Sequence, residues 1–143
     1  MEYRFYGFGN YYLSSLQQGL QAGHCVAELF VQNVDEKNKS AIVYDWAANH
    51  KTMVLLNGGN SGSLQELYDF FSQLKRDGMD LPFVKFHEDQ VSLGGALTYV
   101  GMIVPSYIYD LAVTYRGQLV DPNRKANWDE QLAYKLNEFG LAK

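Results

Sequence analysis

The chain has 143 residues, 47% of them hydrophobic and 20% charged, with a formal net charge of −4 and a pI near 5.3. A single domain of this length buries about 70% of the surface its unfolded chain exposes, so the fold needs no staple, and with Cys25 as the only cysteine neither an internal disulfide nor a cysteine-held zinc site is possible. The acidic balance excludes nucleic-acid binding by bulk charge alone.

The opening "MEYRFYGFGN" has no basic region followed by an apolar stretch, and no apolar run approaches the ~20 residues that span a membrane. One cytoplasmic domain over residues 1–143 is the expectation, without membrane contact. The eleven tyrosines and two tryptophans among 143 residues are amphipathic groups that suit half-buried surfaces and interfaces.

In chain order, "YRFYGF" (3–8) alternates and is aromatic, which predicts a strand ending at the Gly7, Gly9, Asn10 turn. Leu13, Leu16, Leu20, Ala27 and Val31 then recur at three- and four-residue steps and predict a helix with one inward apolar stripe. The same helix carries Gln17, Gln21 and His24 on one face, together with Gly19, Ala22 and Gly23, small residues that let a helix lie close against a sheet or a partner. The charged "VDEKNKS" (34–40) interrupts it, and Ser40 is the expected cap of a second helix over 41–50. "TMVLLN" (52–57) predicts a buried strand, and "GGNSG" a loop leading into a helix.

In that next helix Ser63 and Glu66 have capping-box spacing, while Leu64, Leu67, Phe70, Phe71 and Leu74 supply the apolar face. Lys75 and Arg76 suit its carboxyl end, and Gly78 a left-handed exit. "LPFVKFHE" (81–88) and "ALTYVGMIVP" (96–105) predict two further strands around the loop "DQVSLGG". Residues 107–115 fit a helix or a strand. A loop over 116–127 precedes a closing helix over 128–139, with Asn127 and Glu130 at capping spacing. The expected fold is a single three-layer α/β/α domain with a mixed sheet of about four strands and an extra C-terminal helix.

Familiar chemical motifs are few. "NGGNSGS" (57–63) leads from a strand to a helix N-terminus, a generic anion site, but lacks the lysine of a P-loop. His24, His50 and His87 are too scattered for a metal motif, so no metal or other cofactor is expected. "HEDQ" (87–90) is the richest titratable cluster and stands at a strand end, the usual position of sites in open α/β sheets. Gln17, Gln21 and His24 could together orient a substrate and move a proton, whereas Cys25, Trp46 and Asp110 read as structural.

Gln21-Ala22-Gly23-His24-Cys25 on the predicted first helix is similar to the Gln-x-x-His-Ala pattern of the type 2 peptidyl-tRNA hydrolases, a family that the chain resembles over residues 3 to 112. Trp46 before "KTMVLL", the turn "DGMDLPFVKF" (77–86), and "HEDQVSLGGALTYVGMIVP" closing on Val104-Pro105 continue the likeness. The resemblance implies catalytic positions at Gln21 and His24, with Glu88 and Ser92 in place of the family's aspartate and threonine. Counting back from Pro105 instead places His87 and Val91 there, and the first register is preferred because it keeps a carboxylate and a hydroxyl.

Two departures weigh against full activity. The family's lysine falls at Gln17 or near Ser15, neither a cation, and an early aspartate corresponds to Asn10. Ester hydrolysis on tRNA needs oxyanion stabilisation and cations for phosphates. The expectation is therefore a divergent member in which hydrolysis is weak or lost and a binding or regulatory role is kept, the alternatives being an active hydrolase or a homo-oligomeric interaction protein. The expected partners are tRNA or another small ligand, bound weakly, and a second copy in a homodimer formed through the C-terminal helix and the tyrosine-rich surface. Lys37, Lys39, Lys51, Arg124 and Lys125 are the candidates for a basic patch. The segment from about residue 113 to 143 exceeds the family's usual length.

Overall fold

A computed structural model of the chain describes residues 1–88, 95–118 and 126–142. Four strands, β1 (Tyr3–Asn10), β2 (Met53–Gly59), β3 (Phe83–His87) and β4 (Leu97–Pro105), form one mixed sheet in the order β2-β1-β4-β3. β1 runs parallel to β2, while β4 is antiparallel to both of its neighbours, β1 and β3.

The helices are α1 (Ser15–Gln32), α2 (Lys37–Asp45), α3 (Ser61–Arg76), α4 (Ser106–Tyr115) and α5 (Trp128–Leu136), with a π-helical turn over Trp46–His50. Alternation along the strands sorts them into two outer layers. Phe5, Gly7 and Gly9 of β1 lie opposite Ile103, Gly101 and Tyr99 of β4 and share one face. That face meets α1, where Cys25 approaches Gly101, and the π-turn, where Trp46 packs 5.8 Å from the Phe5 ring. On the other face the Phe8 ring lies 5.9 Å from Phe71 of α3 and 4.9 Å from Phe139 beyond α5. Arg4, on that same face, stacks 3.9 Å from the Tyr109 ring of α4. The expected mixed α/β domain with a four-stranded sheet is what the chain forms.

The segment over 107–115, open between helix and strand in the sequence, is helical as α4. α4 and α5 join through the stacked rings of Tyr115 and Tyr134, 4.4 Å apart, and Leu132 and Ala133 of α5 are fully buried. The tail then runs along the free edge of β2, where Gly140 O accepts from Asn57 N and Ala142 N donates to Leu55 O, both at 2.9 Å. That pairing covers part of an edge that would otherwise present bare backbone.

Several local expectations are corrected. The stripe Leu16, Leu20, Ala27, Val31 does not face the core: Leu16 is 75% and Val31 67% exposed, and α1 buries Gln18, Gln21, Ala22, Cys25 and Leu29 instead. On the inner face, Gln18 fills the space beside Gly9 and Cys25 packs beside Gly101. Ser40 caps nothing, because helix already begins at Lys37 and includes it, and the stretch closes in the π-turn at Lys51, whose φ is +61°. α3 is capped by Asn60, whose Oδ1 accepts from Ser63 N at 2.8 Å, one turn before the Ser63–Glu66 box. Asn127 occupies the N-cap of α5 without a side-chain bond, and α5 ends at Leu136 rather than 139. Gly78 does take positive φ, +110°, just past α3.

Candidate functional site

α1 is held at its start by a complete capping box. Ser14 Oγ accepts from Gln17 N at 3.2 Å, and Gln17 Oε1 accepts from Ser14 N at 2.9 Å. Both bonds satisfy backbone donors that a helix start leaves open. Gln17, one of the two places where the resemblance puts a lysine, is thus turned back on the helix end. The role needs an acceptor atom, and an ammonium has none.

One turn further, α1 crosses the end of β3. Gln21, 6% exposed, donates from Nε2 to Glu88 Oε2 at 2.6 Å. Its Oε1 lies 3.2 Å from His24 Nδ1, and the His24 ring rests on Phe86 with centroids 4.7 Å apart. Glu88 is fixed from behind by its backbone, N donating to Ala96 O at 2.9 Å. Three of the four expected site residues, Gln21, His24 and Glu88, therefore form one connected line from helix to strand end. Ser92 lies outside the described residues.

The line assigns its own protons. A carboxylate can only accept, so the Gln21 amide must offer it Nε2 and leave Oε1 toward the histidine. His24 Nδ1 then carries hydrogen, and in the neutral ring Nε2 holds the lone pair. Because His24 is exposed, that lone pair is reachable by a ligand. An amide cannot pass a proton along; Glu88 acts through Gln21 only by fixing the orientation and tautomer of the imidazole. The arrangement offers a ligand one acceptor at His24 Nε2 beside an aromatic face from Phe86.

Of the second register, His87 points elsewhere and Val91 lies outside the described residues. His87 Nδ1 bonds Gly95 O at 3.0 Å, and it is Glu88 that meets Gln21. His50 stands at the opposite end of the sheet, its ring 6.2 Å from Tyr3. Among the described residues no group of three His, Cys, Asp or Glu side chains could hold a metal ion, and no helix is long and apolar enough to cross a membrane.

Of the candidate basic residues, Lys39 is buried and bonded to Glu36 at 2.9 Å, which removes it from any solvent-facing patch. Arg124 and Lys125 lie outside the described residues. The glycine-rich loop before α3 is organised around Asn60, whose Oδ1 takes both Ser63 N and Ser63 Oγ.

Sequence reasoning passed over a second polar group under the start of α1. Gln18 and Asn10 are 5% and 1% exposed; Gln18 Nε2 donates to Asn10 O, and Asn10 Nδ2 donates to Leu97 O, each at 3.2 Å. Gln18 fills the space that a Cβ on Gly9 would need. The signal was a glutamine out of phase with the apolar stripe and a glycine on the strand it covers. No protein-family model matches the chain, and no curated protein matches it in sequence.

Proposed function

We propose that the protein is a divergent relative of the type 2 peptidyl-tRNA hydrolases in which the Gln21–His24–Glu88 line binds a ligand and tRNA ester hydrolysis is weak or lost. The observation that carries this reading is the capping of α1 by Gln17. Of the two places where the resemblance puts the family's lysine, Gln17 is consumed in holding the helix end and Ser15 carries only a hydroxyl, so neither supplies a cation for phosphate or for the developing oxyanion. The order of strands and helices and the joining of Gln21 to Glu88 support the likeness.

The acidic chain has little to hold tRNA with, so binding is expected to be weak and to fall steeply with added salt. Purified protein incubated with peptidyl-tRNA is expected to release peptide at the uncatalysed rate while retaining the RNA at low salt. His24→Ala and Gln21→Ala should weaken that retention without altering the melting temperature much. Turnover that drops about a hundredfold on His24→Ala, the size of a general-base contribution, would overturn the reading in favour of an active hydrolase. That second reading has its own support in the reachable Nε2 of His24.

A further inference from the structure

We infer that the outward face of α1 is the contact surface of a two-fold homodimer in which the helix packs antiparallel against its own copy. The face consists of Leu16, Leu20, Gly23, Ala27, Phe30 and, just past the helix end, Val34. Leu16 is 75%, Leu20 54%, Phe30 42% and Val34 67% exposed, and a Cβ built on Gly23 meets nothing of its own chain within 4 Å. Leu29 is the one leucine of α1 that faces the core, and the exposed Leu16, Leu20 and Phe30 leave an apolar face arranged for something outside the chain.

Three observations name a second copy as the occupant. The first is charge. Residues 5–27 contain no Asp, Glu, Lys or Arg, and α1 as a whole carries one formal charge, Glu28, in a protein of net charge −4. An acidic chain can meet itself only where like charges are absent, and this face also lacks the charges that would recognise an acidic or basic stranger.

The second is symmetry. Along the stripe the residues run large, large, small, small, large, large, with steps of four, three, four, three and four. Both the sizes and the steps read the same in either direction. An isologous contact requires this self-complementarity, and here it places the axis near Cys25, with Gly23 and Ala27 allowing close approach at the crossing. The steps are those of a coiled-coil seam.

The third is exposure. Leu16, Leu20, Phe30 and Val34 stand 42–75% exposed along one face, a contiguous apolar patch of the kind that marks a protein interaction site. Tyr11 and Tyr12 at the α1 entrance, 65% and 46% exposed, extend the patch. This inference stands independently of the ligand site, although His24 lies at the edge of the same face, beside the crossing.

Light scattering of the intact protein over a dilution series tests it. The wild type is expected to be a dimer at high concentration. Leu20→Glu should weaken association at least about tenfold, as loss of an interface anchor does, with the far-ultraviolet spectrum and melting of the monomer unchanged. Gly23→Leu should raise helix stability within the monomer yet weaken the dimer, a divergence no intrachain role produces. Val113→Glu, at a 59% exposed position on α4, should leave the dimer intact. Leu16→Cys mixed with Val34→Cys should give a disulfide-linked pair, while Leu16→Cys alone should not. A wild type that stays monomeric, a dimer indifferent to Leu20→Glu and Gly23→Leu, or a dimer lost in Val113→Glu would overturn the surface. Crosslinking of Leu16→Cys to itself would overturn the antiparallel arrangement.

Discussion

Tyr99 shows how a single residue reports the closeness of packing. Its ring is fully buried against β1, in the space that a Cβ on Gly7 would occupy, and its hydroxyl has no hydrogen-bond partner among the described residues. An unpartnered buried hydroxyl costs about 1–3 kcal/mol, so Tyr99→Phe is expected to leave stability unchanged or raise it by about 1 kcal/mol. Gly7→Ala forces the ring and Phe5 aside and should cost about 1–3 kcal/mol, as overpacking does. Urea titration of the two variants checks both signs; a Tyr99→Phe protein destabilised by more than Gly7→Ala would contradict this packing. The strand containing Gly7 was legible from its alternating aromatics, but its closeness to Tyr99 was not. Glycine in a strand signals close approach without saying of what.

At the scale of elements, α1 and α3 show opposite relations between pattern and structure. In α3 the periodic residues Leu64, Leu67, Phe71 and Leu74 are the buried ones, because the sheet beneath carries side chains that the helix must interleave with. In α1 the periodic residues are outside. Period alone identifies a helix and a face; it cannot say whether the apolar face meets this chain or another copy. The inner face of α1 combines Ala22, Cys25 and Leu29 with Gln18 and Gln21, which can be buried because they find partners there, at Asn10 O and Glu88. Two of those three site residues were legible as a local Gln-x-x-His spacing, whereas Glu88 came from a register that sequence left open against His87. The start of α3 is one turn earlier than the sequence suggests because asparagine caps as well as serine does. Asn60→Ala should therefore destabilise by about 1 kcal/mol, while Ser63→Ala, which removes only a side-chain bond to Asn60, should cost a few tenths at most. Thermal melts of the pair distinguish the cap from the apparent capping box.

For the molecule as a whole, burial sets its response to alkali. Cys25 and Tyr99 sit together between α1 and the sheet, and burial pushes both acids well above their ordinary values; the nearby Glu28 carboxylate raises Cys25 further, and Cys25 raises Tyr99. Tyr3, Tyr107 and Tyr109 are raised as well, again chiefly by burial. A group whose folded value lies above its unfolded one contributes stability that is whole below the unfolded value and is lost as pH rises toward the folded one. The unfolded values are about 8.5 for a thiol and 10 for a phenol. Stability is thus expected to hold through neutral pH, to begin falling near the thiol value, and to fall more steeply once phenols ionise in the unfolded chain. The fall should be shallower in Tyr99→Phe and shallower again when Cys25→Ala is added, since each removes one proton from the unfolded-state balance. Chemical reactivity follows the same physics: the buried, protonated Cys25 should resist thiol reagents at neutral pH until the chain unfolds. Melting midpoints from pH 7 upward, compared among the three proteins, measure this, and parallel curves would show that the buried acids between α1 and β4 do not control the alkaline limit.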